Sequence, residues 1–223
     1  MSRICFDITG ILRYARANDR VTGIQRVELN LIRHTVRTVG AQRALGLIRE
    51  ASGEGYRLVH LGFLAGEQEF SASTLLLQTG SIRSGRWPDI VLVKKHLHKY
   101  RHRKVYRGAK KAQIYLEALV ARDRLTRKGL LRDPALDSHE HMQLGDTQLL
   151  AGDTYVRLGA DWEDVQSHRV AQTHRDNGGK VVQMVHDLIP LARPDLHEPA
   201  VRARFEHWLH HTTRYTTLFL CIS

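Results

Sequence analysis

At 223 residues the chain is long enough to bury a full core in one domain, and with 42% hydrophobic and 26% charged residues it has a globular composition. No apolar run approaches the ~20 residues that a spanning helix needs, so the sequence contains no candidate transmembrane helix. The formal charge of +11 does not mark a uniformly basic protein: residues 94–132 hold 14 Lys and Arg against Glu117 and Asp123, while the rest holds 20 basic and 21 acidic residues.

Residues 3–8 read as a first strand, with Ile4, Cys5 and Phe6 followed by Asp7 near its carboxyl end. The residues before it lack secretory signal organisation, so no secretory signal is expected. Cys5 and Cys221 both sit in apolar runs and are expected as buried free thiols in a reducing, cytoplasmic compartment. Residues 9–19 read as a basic loop. Thr22 is placed to cap a helix whose stripe is Ile24, Val27, Leu31 and Ile32. Residues 44–49 and 56–61 read as strands around the turn-like 52–55, and 67–88 as loop. Residues 91–131 read as helical, with Ile114, Leu116, Leu119, Val120 and Leu125 available to dock an apolar face. Residues 133–145 read as polar loop.

Regular alternation follows: a strand at 154–158, a helix at 162–174 closed by Asn177-Gly178-Gly179, and a strand at 180–185. Val181, Val182, Met184 and Val185 make that strand nearly continuous in apolar side chains, as in a strand buried on both faces of a parallel sheet. It stops at His186-Asp187, and ligands of open α/β sheets bind beyond the carboxyl ends of strands. Residues 198–211 carry Val201, Phe205, Trp208 and Leu209 on one side of a helix, and 216–222 read as a last buried strand. The expected fold is α/β: a Rossmann-like open, mostly parallel sheet with helices on both faces, one domain over 1–223 with a basic helical insertion at 94–132.

Four ordered blocks carry a resemblance: Phe6-Asp7-Ile8; Thr22-Gly23-Ile24-Gln25-Arg26-Val27-Glu28; Gly152-Asp153 with Leu158-Gly159-Ala160-Asp161-Trp162; and Val185-His186-Asp187-Leu188-Ile189-Pro190-Leu191 with Pro194-Asp195. Together with Leu220-Cys221-Ile222-Ser223 they are similar to the N-terminal domain of family 4 glycosyltransferases of the two-domain GT-B architecture, mannosyltransferase-like members in particular. The resemblance implies a retaining hexosyl transfer from a nucleotide sugar, such as GDP-mannose, to a lipid-linked or saccharide acceptor in surface polysaccharide or lipopolysaccharide synthesis. It implies no metal and no cofactor beyond that co-substrate. It also implies that the donor-binding second domain lies outside this sequence, leaving the acceptor-side half, expected to be inactive alone.

His186 is the residue expected to act. Its imidazole can hydrogen-bond a sugar hydroxyl or phosphate oxygen, and by resemblance it positions the transferred sugar; the alternative is a strand-end cap. Gly23 leads a helix N-terminus able to receive a diphosphate, or is a simple turn glycine. Arg26 in the first turn pairs with a phosphate or is a surface arginine. Asp187 is expected to orient its loop by accepting backbone N–H bonds. Asp7 either bonds the Gly23 loop or is structural. Of the 14 histidines, His207 and His211 share a helix face, but no third ligand is fixed by spacing, so no metal site is expected.

The 94–132 segment has three readings: a solvated arm, a surface for anionic lipid on the inner face of the plasma membrane, or a nucleic-acid contact using Tyr100, Tyr106 and Tyr115. The lipid surface fits the lipid-linked acceptor best. The alternative for the whole chain is a non-catalytic basic module that grips nucleic acid or an acidic partner.

Overall fold

The computed structural model describes residues 2–18, 20–49, 55–66, 72–81, 88, 90–121, 124–125, 130, 148–160, 162 and 164–222. In chain order the principal elements are β1 (Ile4–Asp7), α1 (Thr9–Ala15), α2 (Gly23–Val39), β2 (Ala44–Arg49), β3 (Tyr56–His60), α3 (Ala72–Gln78), α4 (Ile90–His96), α5 (Lys104–Val120), β4 (Thr154–Arg157), α6 (Val165–Asp176), β5 (Lys180–Val185), α7 (Ile189–Ala192), α8 (Pro199–Thr213) and β6 (Leu218–Cys221). The chain divides into two compact units, one of 1–11, 22–67 and 143–223, the other of 12–21 and 68–142.

The first unit holds the sheet, in the order β3-β2-β1-β4-β5-β6. Every pairing is parallel except β2 with β3, where the connection over 50–55 is too short for a parallel crossover and the strands run antiparallel. That is a Rossmann-like open sheet, as expected. Right-handed crossovers leave β1 for β2 in one direction and β4 for β5 in the other, which puts α2 and α6 on opposite faces. On the α6 face a fully buried cluster joins Cys5, Leu45, Leu47, Leu58, Tyr155, Ala171, Val181 and Tyr215. Burial, reinforced by the Asp153 carboxylate, pushes the Cys5 thiol up to about 12, so it stays a neutral, inert side chain. Gly46 is required in β2 by packing: a Cβ there would lie 2.8 Å from Ile8 Cδ1 and 2.9 Å from both Val59 and Leu61.

Arg3 and Asp153 pin the amino edge of the sheet. The guanidinium holds both carboxylate oxygens, and the Arg3 and Leu150 backbone N–H groups donate to the same carboxylate. Burial pushes the Asp153 carboxyl up, but these bonds outweigh it and hold it below the usual range. A carboxyl depressed in the folded state contributes stability that is complete above its unfolded pKa, about 4, and lost as pH falls through the folded value. Asp153→Asn should therefore flatten the fall of unfolding free energy in urea as pH drops below about 5. Parallel profiles for the two proteins would rule out this account.

In the second unit, Leu75, Leu76, Leu92, Val93, Leu97, Ile114 and Ala118 are buried. Lys95 Nζ donates to the carbonyls of Ala15 and Asn18, tying the stretch 12–21 to α4. The basic segment 94–132 falls within this unit and begins inside it, not at its border.

Several elements differ from their sequence reading. Residues 9–19 begin with helix α1, because Ile8, Ile11, Leu12 and Ala15 recur at helical spacing and are buried, a stripe masked by Arg13 and Arg16. Residues 67–88 contain helix α3, whose Leu75, Leu76 and Leu77 are buried. Between 90 and 120 the helix breaks at 97–103. In α5 only Ile114 and Ala118 of the apolar residues turn inward, while Leu116, Leu119 and Val120 face out. The last strand, β6, is a half-exposed edge, and Cys221 is exposed, not buried. The polar stretch 133–145 lies outside the described residues.

Candidate functional site

The strand order reverses between β1 and β4, so the crevice beyond their carboxyl ends is the natural ligand position of this sheet. Beside it, β4 exits through Leu158-Gly159. His186, the residue after β5, is half-buried, and its Nε2 lies 2.7 Å from the Leu158 carbonyl. A carbonyl only accepts, so Nε2 is the donor of this bond, and in the tautomer that carries its proton on Nε2 the other nitrogen, Nδ1, is an acceptor. On the α2 side the Glu28 carboxylate approaches Gly159, where an added Cβ would lie 3.9 Å from both of its oxygens. Glu28 is 2% exposed. The exit of β4 is thus bracketed by His186 and Glu28.

Gly23 stands five residues before Glu28, about 7.5 Å along the axis of α2. It therefore shares the carboxyl rim with His186. Nothing lies within 4 Å of a Cβ built on Gly23, and its φ is not in the left-handed region, so neither crowding nor backbone conformation requires glycine here. Thr22 occupies the N-cap position, but its hydroxyl bonds the Gln25 side chain and does not cap the helix. Thr22 thus gives the first N–H groups of α2 no side-chain cap, and the exposed Arg26 lies beside them. Asp187 is exposed and accepts the Ile189 N–H at 3.1 Å, which starts α7 and orients the loop as expected.

Of the two readings of Asp7, its contacts are those of the structural one. Its carboxylate turns into the α6 face and not toward the Gly23 loop. Oδ1 accepts the Thr9 N–H, and Oδ2 accepts Arg49 Nε at 2.9 Å, the Tyr155 hydroxyl at 2.6 Å and the Ser167 hydroxyl at 3.3 Å. Arg49 also holds both oxygens of Asp164, the N-cap of α6, whose Oδ1 accepts the Ser167 N–H. Burial works against the Arg49 charge, and the Asp7 and Asp164 carboxylates outweigh it, so its pKa is raised. Burial and the Asp7 charge likewise push the Tyr155 phenol well up, keeping it a donor. The network clamps the rim ends of β1, β2 and α6.

A second polar group lies deeper on this face. Arg157, fully buried at the end of β4, donates to the Tyr215 hydroxyl at 2.9 Å, and Tyr215 bonds His168 Nδ1. Beside it in register, Gln183 Nε2 donates to the Met184 carbonyl, while Gln183 Oε1 is buried with no hydrogen-bond partner among the described residues. Arg49, Arg157, Gln183 and Glu28 were not identified from sequence. The available signal was a single polar residue inside an otherwise apolar run, as in Tyr155-Val156-Arg157-Leu158.

Behind the His186 strand end, Val185, Phe205 and Trp208 form a cluster with Trp162, Leu191, Leu209 and Phe219 against it. A groove of about 620 Å³ opens there between α6 and α8, lined by Trp162, Val165, His168, Arg204, Trp208 and His211 among others. Burial, then Arg214, His207 and His210, push the His211 imidazole down. Among the described residues no group of three or more His, Cys, Asp or Glu is placed to hold a metal ion. No described helix is long and apolar enough to cross a membrane. No family model, curated protein or solved structure matches the chain.

Proposed function

We propose that the chain is the acceptor-side domain of a retaining family 4 glycosyltransferase, working with a donor-binding domain on a lipid-linked or saccharide acceptor at an anionic membrane surface. The observation that carries the reading is the shared rim: a helix N-terminus led by Gly23 that Thr22 does not cap, and the imidazole of His186, both at the carboxyl edge of a 3-2-1-4-5-6 sheet. The Gly23 N–H groups and Arg26 would face the donor diphosphate of a GDP-mannose-like sugar nucleotide. His186, oriented by its bond to Leu158, would offer Nδ1 to a hydroxyl of the transferred sugar. Trp162 and the groove beside it would take the acceptor, since an aromatic face stacks on the apolar side of a sugar ring. No enzyme nucleophile is needed in a front-side displacement, and none is proposed. Asp7 has no direct part; it holds the rim.

The test is calorimetric binding of a polyprenyl-diphosphate-linked sugar and of GDP-mannose to the whole chain. His186→Ala and Arg26→Ala should each weaken binding of the nucleotide sugar about tenfold, the scale of one charged or well-placed hydrogen bond, and leave binding of the lipid-linked sugar unchanged. Melting temperatures should not change for Arg26→Ala, whose side chain is exposed. Failure to bind either ligand, together with tight salt-sensitive binding of RNA or DNA, would replace this reading by the basic binding module.

A further inference from the structure

Helix α5 has two apolar faces, and only one is used. Ile114 and Ala118 are buried. Val105, Leu116, Leu119 and Val120 are 89%, 63%, 56% and 86% exposed, and Ala109 and Ala112 are exposed between them. At 3.6 residues per turn these six fall within about 100° of arc, opposite Ile114, and run about 22 Å along the helix.

The surroundings of the stripe are cationic. No acidic residue occurs between Lys94 and Lys111. Lys99, Arg101, Arg103, Lys104, Arg107 and Lys111 are all exposed. Lys104 and Lys111 lie on the flank of the stripe, close enough for their long stems to reach past it. Tyr106 packs edge-on against Tyr100 with ring centroids 4.9 Å apart, and Lys110 Nζ lies 5.7 Å from the Tyr106 ring.

We propose that α5 is an interfacial helix that seats its outward stripe in an anionic lipid surface. Val105, Leu116, Leu119 and Val120 would enter the acyl boundary, with the cations at headgroup level. A second copy of the chain would bring two strongly basic helices together and repel. A folded protein partner would need large anchors at the centre of the contact, and the centre of this stripe is Ala109 and Ala112. A lipid surface needs only apolar area flanked by positive charge. The inference rests on the membrane placement proposed above and names the residues that make it.

The experiment is flotation of the whole chain with vesicles of phosphatidylcholine containing phosphatidylglycerol, and of phosphatidylcholine alone. No sugar nucleotide is present, so failure here is separate from failure of the transferase reading. The chain should float with the anionic vesicles only. Leu116→Ser/Leu119→Ser should lower partition about tenfold, the scale of two leucine side chains returned to water, with the melting temperature unchanged because both are exposed. Lys104→Glu/Lys111→Glu should also lower it, with the largest difference from the parent at low salt. Leu119→Trp should shift its emission to the blue on vesicle addition and be quenched by lipids brominated in the acyl chain. Full partition of the Leu116→Ser/Leu119→Ser variant, equal binding to neutral vesicles, or loss of a dimer in that variant without any change in flotation would each overturn the proposal.

Discussion

Arg49→Met is expected to cost about 3–5 kcal/mol of unfolding free energy, the range for removing one partner from a buried ion network. Arg49 is the cation between Asp7 and Asp164, and its side chain is 3% exposed. Without it, Asp7 keeps only neutral donors, the Thr9 N–H and the Tyr155 and Ser167 hydroxyls, and Asp164 loses both guanidinium bonds while keeping the Ser167 N–H. Those bonds do not offset the lost charge. Equilibrium urea denaturation measures the effect. The triple variant Asp7→Asn/Arg49→Met/Asp164→Asn should recover part of the loss, because it removes the uncompensated charges along with the cation. A loss under about 1 kcal/mol in Arg49→Met would show that water, and not the guanidinium, satisfies these carboxylates.

Trp208→Ala is expected to cost about as much, 3–5 kcal/mol, from lost burial and the cavity left behind. Trp208 is 5% exposed in the cluster that backs Val185, whose next residue is His186. Its ring lies 5.2 Å from that of Phe205. Trp208→Phe should cost far less than the area alone implies. Trp208 Nε1 is buried with no hydrogen-bond partner among the described residues, a state that costs about 1–3 kcal/mol, and phenylalanine removes that donor. The two variants also separate support from contact. Trp208→Ala should weaken the binding that depends on His186, since the strand end loses its backing, and Trp208→Phe should preserve it. Equal destabilisation by both would mean that the indole N–H is satisfied by solvent.

Much of this arrangement was readable in the residues. The bounds of β5 follow from an apolar run between Gly179 and His186, and the structure places the strand at Lys180–Val185. The turn of Asn177-Gly178 was equally legible, and Gly178 does adopt a left-handed φ of 81°. His186 and Gly23 both fall at ends of elements, because their neighbours change pattern there. What pattern reading handled poorly was charge. It assigns Arg13 and Arg16 to solvent and so loses the stripe of α1, and it gives no reason to bury Arg49, Arg157 or Glu28. Burial of a charge depends on a partner distant in sequence: Asp164 is 115 residues from Arg49. Edge position was also hidden. Leu218-Phe219-Leu220 has the composition of an interior strand, yet β6 has one neighbour and is half-exposed. In α5, apolar spacing predicted one docking face where the helix presents two.

The chain enters its second unit twice, through 12–21 and again through 68–142. That unit therefore cannot be excised with a single cut. Deleting 94–132 would bisect a folded body and remove both the amine that holds 12–21 and the buried Leu97, Ile114 and Ala118. A truncation of this kind would report misfolding, whatever the basic segment does. Grafting the unit elsewhere would take both stretches, and the natural seams for that surgery lie near residues 11, 22, 67 and 143.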